Sequence, residues 1–220
     1  MIRFLSHRIT PTLPVYGKFQ QRLPQRPLKQ IAKGDSCNSS AFEMENHWGT
    51  HVDAPNHFSK GGKKIDDYEA GFWYFTKPCV LSVRLKPGQL LHPDTLKNAP
   101  DAQSDLLLFK SGWSKKRNRA AYSLKGPGVH ADMAAYLRGH CNKIRAIGFD
   151  WISLSSFSRR EEGRAAHRAF LAPAKGRDPI LIIEDMDLSH ADSGLRSVVV
   201  SPLRLAGADG APCTVFGLWS

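Results

Sequence analysis

The 220-residue sequence has no apolar run approaching the ~20 residues that cross a bilayer as a helix, so no membrane span is expected. Residues Met1 to Gly17 lack the uninterrupted apolar core of a signal peptide, which makes the cytoplasm the expected location. Cysteine is scarce: Cys37, Cys79, Cys141 and Cys213 lie far apart and form no Cys-x-x-Cys pair. That spacing argues against a disulfide framework and against a thiolate zinc site. No phosphate loop is present, since Gly61-Gly62-Lys63-Lys64 lacks both the spaced first glycine and the Ser or Thr after the lysine. Acidic residues are in short supply, with 20 Asp and Glu against 31 Lys and Arg for a net charge of +11. The basic clusters at Lys60 to Lys64, Lys115 to Arg119 and Arg159-Arg160 come without a helix-turn-helix, zinc-finger or aromatic RNA-binding motif. A nucleic-acid partner is therefore not expected, and the charge is read as solvated loops or as a means of capturing an anionic small-molecule substrate.

With 41% hydrophobic residues the chain can bury a substantial core, and its length fits a single domain over 1–220 without repeat or linker. Strand signals fall at Phe4 to Ile9, Ala41 to His47, Val80 to Leu85, Asp105 to Phe109, Ile144 to Phe149, Ile180 to Glu184, Val198 to Leu205 and Thr214 to Leu218. Helix signals fall at Pro93 to Asn98, His130 to Arg138 and Glu161 to Leu171. No strand-helix alternation runs through this order, so the expected class is α/β with a mixed, partly closed sheet and not a doubly wound nucleotide-binding fold. The segment Lys18 to Lys33, rich in basic residues, reads as a loop able to cover a site.

The densest chemistry lies between His47 and Phe58, where three histidines and a carboxylate are interleaved with turn formers. Gly49 and Pro55 argue against a continuous helix, leaving an extended segment that enters a turn. In that geometry His51 and Asp53 share a face and His47 folds back across the Gly49 bend. Neutral imidazoles and a carboxylate suit zinc, manganese or a similar divalent ion. His57, beyond the Pro55 turn, is placed to move protons without being a ligand. A fifth-ligand role is its alternative. Thr50 reads as a turn-fixing residue, since no base stands ready to activate it. Glu184 ends the apolar run Ile180 to Ile183, and a carboxylate at the end of a buried strand needs a partner such as a metal or a structural hydrogen bond.

The pattern His-x-Gly-Thr-His-x-Asp-x-Pro-x-His, met at every fixed position from His47 to His57, resembles the signature of the metal-dependent cyclase-like hydrolase family. That family includes the bacterial type of kynurenine formamidase and isatin hydrolase. Leu5-Ser6-His7, Leu107 to Trp113, Ala146 to Ser153, Pro202 to Leu205 and Ala208 to Pro212 resemble its other segments. The resemblance implies a small β-barrel-like sheet flanked by helices, usually as a homodimer or homotetramer. It implies one or two divalent ions, zinc or manganese, the first on His47, His51 and Asp53 and the second on Asp53, His167 and Glu184. His57 corresponds to the family's catalytic histidine. The polar connection Pro173 to Pro179 is longer than the family's usual one. The implied activity is cleavage of an amide, formamide or lactam C–N bond in a small-molecule substrate, anionic or aromatic. A lyase or cyclase at the same centre and a metal-binding protein without catalysis are the alternatives. Trp48, Phe58, Trp73, Tyr74 and Phe75 could wall an aromatic pocket or fill the core.

Overall fold

A computed structural model of the chain describes residues 1–174 and 176–219. The strands in chain order are β1 (Ile2–Phe4), β2 (Thr12–Val15), β3 (Lys18–Arg22), β4 (Gln25–Lys29), β5 (Ser39–Phe42), β6 (His51–Asp53), β7 (Tyr74–Phe75), β8 (Pro78–Ser82), β9 (Leu90–Leu91), β10 (Leu106–Lys110), β11 (Gly128–Val129), β12 (Ala146–Phe149), β13 (Leu181–Glu184), β14 (Leu195–Pro202) and β15 (Gly210–Trp219). The helices are α1 (Ala120–Leu124), α2 (Asp132–His140) and α3 (Arg160–Leu171). The main sheet runs β7-β14-β15-β6-β13-β12-β10-β8, with β1 also paired to β15. Its β8, β10, β12 and β13 are parallel, and the rest pair antiparallel. Strand β14 also packs against β8, so the sheet curls into a nearly closed mixed barrel flanked by few helices, the expected α/β class.

The parallel strands are apolar at nearly every position because both their faces are buried. Leu107, Phe109, Ile147, Phe149 and Ile182 face the layer of α2 and α3. Their neighbours Leu106, Leu108, Leu181 and Ile183 face the barrel interior with Val52, Phe75, Val198 and Val215. Helix α3 buries Gly163, Ala166, His167, Phe170 and Leu171, the stripe of an amphipathic helix laid on the sheet.

Four expectations change. The strand expected at Phe4 to Ile9 lies earlier, as β1 (Ile2–Phe4), with only an isolated bridge at Ser6 beyond it. The stretch Lys18 to Lys33 holds parts of two β-hairpins, β2–β3 and β4–β5, and not an open loop. Its strands are mostly exposed on both faces, so the inside-outside alternation that marks a strand is missing. Pro93 to Asn98 contains only the 3₁₀ turn Pro93–Thr95. The strand expected at Ala41 to His47 stops at Phe42, because the chain must turn before His47 to reach the site. Of the polar connection Pro173 to Pro179, Lys175 lies outside the described residues. Among the described residues no helix is long and apolar enough to cross a membrane.

Candidate functional site

Strand β6 is three buried residues held between β13 and β15. Strand alternation sends Val52 into the barrel core and turns His51 and Asp53 to the opposite face. The register pairs Glu184 with His51 on one side and Gly210 with Asp53 on the other. Gly49, at φ +70, makes the left-handed bend that brings His47 back, its Nδ1 2.9 Å from Asp53 Oδ1. Helix α3 closes the site from above and delivers His167. It can approach this closely because residue 163 is glycine: a Cβ there would fall 2.0 Å from Ser155 Oγ.

Two imidazoles are locked in the same sense. His51 Nδ1 donates to the Gly49 carbonyl and His167 Nδ1 to the Gly163 carbonyl, each at 2.8 Å, so both Nε2 atoms turn toward the carboxylates. His51 Nε2 lies 3.4 Å from Asp53 Oδ1 and 3.4 Å from Glu184 Oε2. His167 Nε2 lies 3.7 Å from Asp53 Oδ2 and 3.6 Å from Glu184 Oε1. Glu184 Oε1 also accepts from Leu154 N at 2.6 Å, which fixes the carboxylate. Ligand atoms of His51, Asp53 and Glu184 lie within 4.8 Å of one another, as do those of His47, Asp53 and His57, so Asp53 belongs to both sets.

Sequence reasoning missed Asp209. It sits just before β15, and its Oδ2 accepts from His57 Nδ1 at 2.8 Å and from His47 Nε2 at 3.1 Å. The rings of His47 and His57 stack at 4.1 Å. Among the described residues His57 Nε2 has no hydrogen-bond partner. The signal for Asp209 in the sequence was only a turn-like Ala-Asp-Gly. Thr50 donates to the Asp185 carbonyl at 2.5 Å and accepts from His7 N at 2.9 Å, tying the bend to the end of β13. Asp185, at φ +50, is itself clamped by Arg117 (2.8 Å) and Tyr122 (2.5 Å).

The electrostatics ask for positive charge. Burial alone would lower the His51 pKa, but Asp53 and then Glu184 outweigh it and raise it to about 9. Burial likewise works against ionised Asp53, yet His47 and His51 hold its carboxyl well below the usual range. His47 and His167 are also raised, against the effect of burial, by Asp53 and Glu184 respectively. These residues open into a cleft of about 450 Å³ whose walls include Tyr16, Phe58, Phe157, Arg160 and Arg164. Of the aromatic residues named from sequence, Phe58 reaches the cleft and stacks on His167 at 4.4 Å, whereas Phe75 and Trp73 belong to the barrel core. Trp48 and Tyr74 stay off the cleft walls.

The sequence profile of the Cyclase family matches residues 4–156. The chain is 32% identical to cyclase-like protein 1 of Arabidopsis thaliana, with 94% of this chain and 81% of that protein aligned. It is 26% identical to a kynurenine formamidase of Geobacillus thermodenitrificans, with 94% and 92% aligned. The fold matches that of isatin hydrolase A from Ralstonia solanacearum with a TM-score of 0.78 at 18% identity, covering 100% of this chain and 92% of that one. The chain belongs to the Cyclase family.

Proposed function

We propose that the chain is a divalent-metal-dependent hydrolase that cleaves the C–N bond of an amide, formamide or lactam, zinc or manganese being the metals its donors suit best. The observation that carries this reading is the spacing of the donors. Gaps of 3.4–3.7 Å between His Nε2 and carboxylate oxygens are too long for good hydrogen bonds. Imidazole nitrogens and carboxylate oxygens held this close without bonding one another would suit a shared divalent cation such as zinc. Its similarity to a protein named kynurenine formamidase favours an aryl formamide among the possible substrates.

His47, His51 and Asp53 would hold one ion and Asp53, His167 and Glu184 a second, with the Glu184 carboxylate facing both halves. A divalent ion bound there supplies Lewis-acid activation of water and polarisation of a carbonyl oxygen. The chain's own residues supply the rest. Asp209 holds His57 by its Nδ1–H and so leaves Nε2 as the proton acceptor. His57 takes a proton from the attacking water at Nε2 and returns it to the departing nitrogen. The Asp209 contact to His47 Nε2 keeps that ring turned with Nδ1 toward Asp53.

The primary test is a screen of formamides, lactams and cyclic imides with the metal-loaded protein, followed by mass analysis. Products that have gained one water support hydrolysis, and products without it reject it. A second test counts ions: the wild type should bind two per chain, whereas His167→Ala, whose imidazole serves only one half, should keep one. Anomalous scattering from crystals reads this directly, and a single peak in the wild type would remove the bridging role of Asp53.

A third expectation concerns the metal-stripped protein. The folded-state pKa of His51, about 9, lies above its ordinary value of 6.5. The stability it contributes is therefore complete below pH 6.5 and lost as pH rises through 9, by up to about 3 kcal/mol. A bound cation replaces that proton, so the loaded protein should not show the loss. Urea unfolding at pH 6 and pH 9.5, with and without chelator, measures it, and equal losses in both forms would refute the expectation.

A further inference from the structure

Helix α3 does more than deliver His167. Arg160, Arg164 and His167 stand at i, i+4 and i+7, one stripe of the helix, and all three line the same cleft. At 1.5 Å per residue the two guanidinium-bearing positions lie about 4.5 and 10.5 Å along the axis from His167. They therefore form a basic wall beginning beside the histidine cluster and running outward. Arg160 lies over the Phe157 ring, its Cζ 4.0 Å from the centroid. Phe157 is fixed in turn by Tyr16, edge-on at 5.4 Å, and by the β2–β3 turn, where a Cβ on Gly17 would fall 2.6 Å from the Phe157 ring. Arg164 pairs with Glu161, but among the described residues Arg160 has no carboxylate partner. A guanidinium at the exposed rim of the cleft that leans on an aromatic ring and has no carboxylate partner keeps its fork of donors for an anion.

We propose that Arg160, supported by Arg164, is a carboxylate-binding subsite. The substrate is then an anionic amide whose carboxylate lies one to two helical turns from the scissile carbonyl, with an apolar body against Phe58 and Phe157. The planar fork of a guanidinium matches a carboxylate in two parallel hydrogen bonds, and the chain's net charge of +11 draws such anions toward the cleft. That the bound anion is a substrate rests on the hydrolase reading; that the anion binds does not.

The experiment has two arms. In the first, metal-loaded and chelator-treated protein are titrated with 3-phenylpropionate and with neutral 3-phenylpropionamide, in the wild type, Arg160→Gln and Arg160→Lys. Use of both forms separates a carboxylate bound by arginine from one bound by metal. The wild type should bind the carboxylate at least ten-fold more tightly than the amide in both forms. Arg160→Gln should erase most of that preference, and Arg160→Lys should restore only part of it, since an ammonium keeps the charge without the fork. In the second arm, kcat/KM is compared for an aryl formamide carrying a propionate side chain and for its methyl ester. The charged-to-neutral ratio should fall ten- to a hundred-fold in Arg160→Gln, through KM more than kcat. Equal binding of the two probes by the chelator-treated wild type, or a preference in that form that survives Arg160→Gln/Arg164→Gln, overturns the subsite. Cleavage of both formamides with the same kcat/KM overturns the subsite while keeping the hydrolase. Preferred binding of the carboxylate with neither formamide cleaved does the reverse.

Discussion

Asp53→Asn is expected to strip the protein of its divalent metal and of measurable hydrolysis together. Asn keeps the size of the side chain and removes its charge. Asp53 is the residue common to both donor sets, with Oδ1 toward His47 and His51 and Oδ2 toward His167. Neither other carboxylate nearby can replace it, because Glu184 is fixed by the Leu154 N–H and Asp209 lies on the far side of His47, bound to its Nε2 and to His57. Losing it leaves His47, His51 and His167 with Glu184 as the one carboxylate facing them from β13, too little negative charge to hold two dications. Without an activated water the rate should fall by more than about 10⁴-fold, given that a bound metal lowers the pKa of water from 15.7 to near 7. Elemental analysis of the purified variant, beside circular dichroism to verify its fold, tests this. Full metal content in folded Asp53→Asn would reject the centre as drawn.

The parallel strands were legible because burial on both faces leaves an unbroken apolar run, as in Leu106 to Phe109 and Leu181 to Ile183. The bend at Gly49 and the shared face of His51 and Asp53 were legible because strand alternation and a left-handed glycine are local rules. The two hairpins between Thr12 and Phe42 were not, since strands exposed on both faces carry no alternation to read. Asp209 escaped for a different reason. It is 152 residues from His57 in sequence and meets it only because β15 pairs with β6, setting Gly210 opposite Asp53. Arg160 and Arg164 occupy an intermediate position. Their spacing from His167 was readable as one helical face, but that this face looks into the cleft depends on α3 packing on β13, a tertiary fact.

Asp209 also sharpens what is expected of His57. Removing the imidazole's basicity while keeping its shape, in His57→Asn, should preserve metal content and fold and lower turnover by about 10²- to 10⁴-fold, the usual contribution of a positioned acid-base group. The loss should fall on kcat, because the proton moves only in the transition state. Asp209→Asn should reproduce part of it, since the ring at 2.8 Å loses the acceptor that fixes its tautomer while keeping its place beside His47. An aryl ester offered in place of the amide should suffer less in both variants, its leaving group needing little protonation. The alternative is a ligand role, for which the His47–Asp53–His57 grouping gives a geometry. The two roles separate cleanly. A ligand loses metal when replaced by Asn and penalises ester and amide alike, whereas a proton carrier keeps metal and penalises the amide. Metal analysis paired with steady-state kinetics on both substrates decides, and metal loss or an unaltered amide rate in His57→Asn would exclude proton transfer as its role.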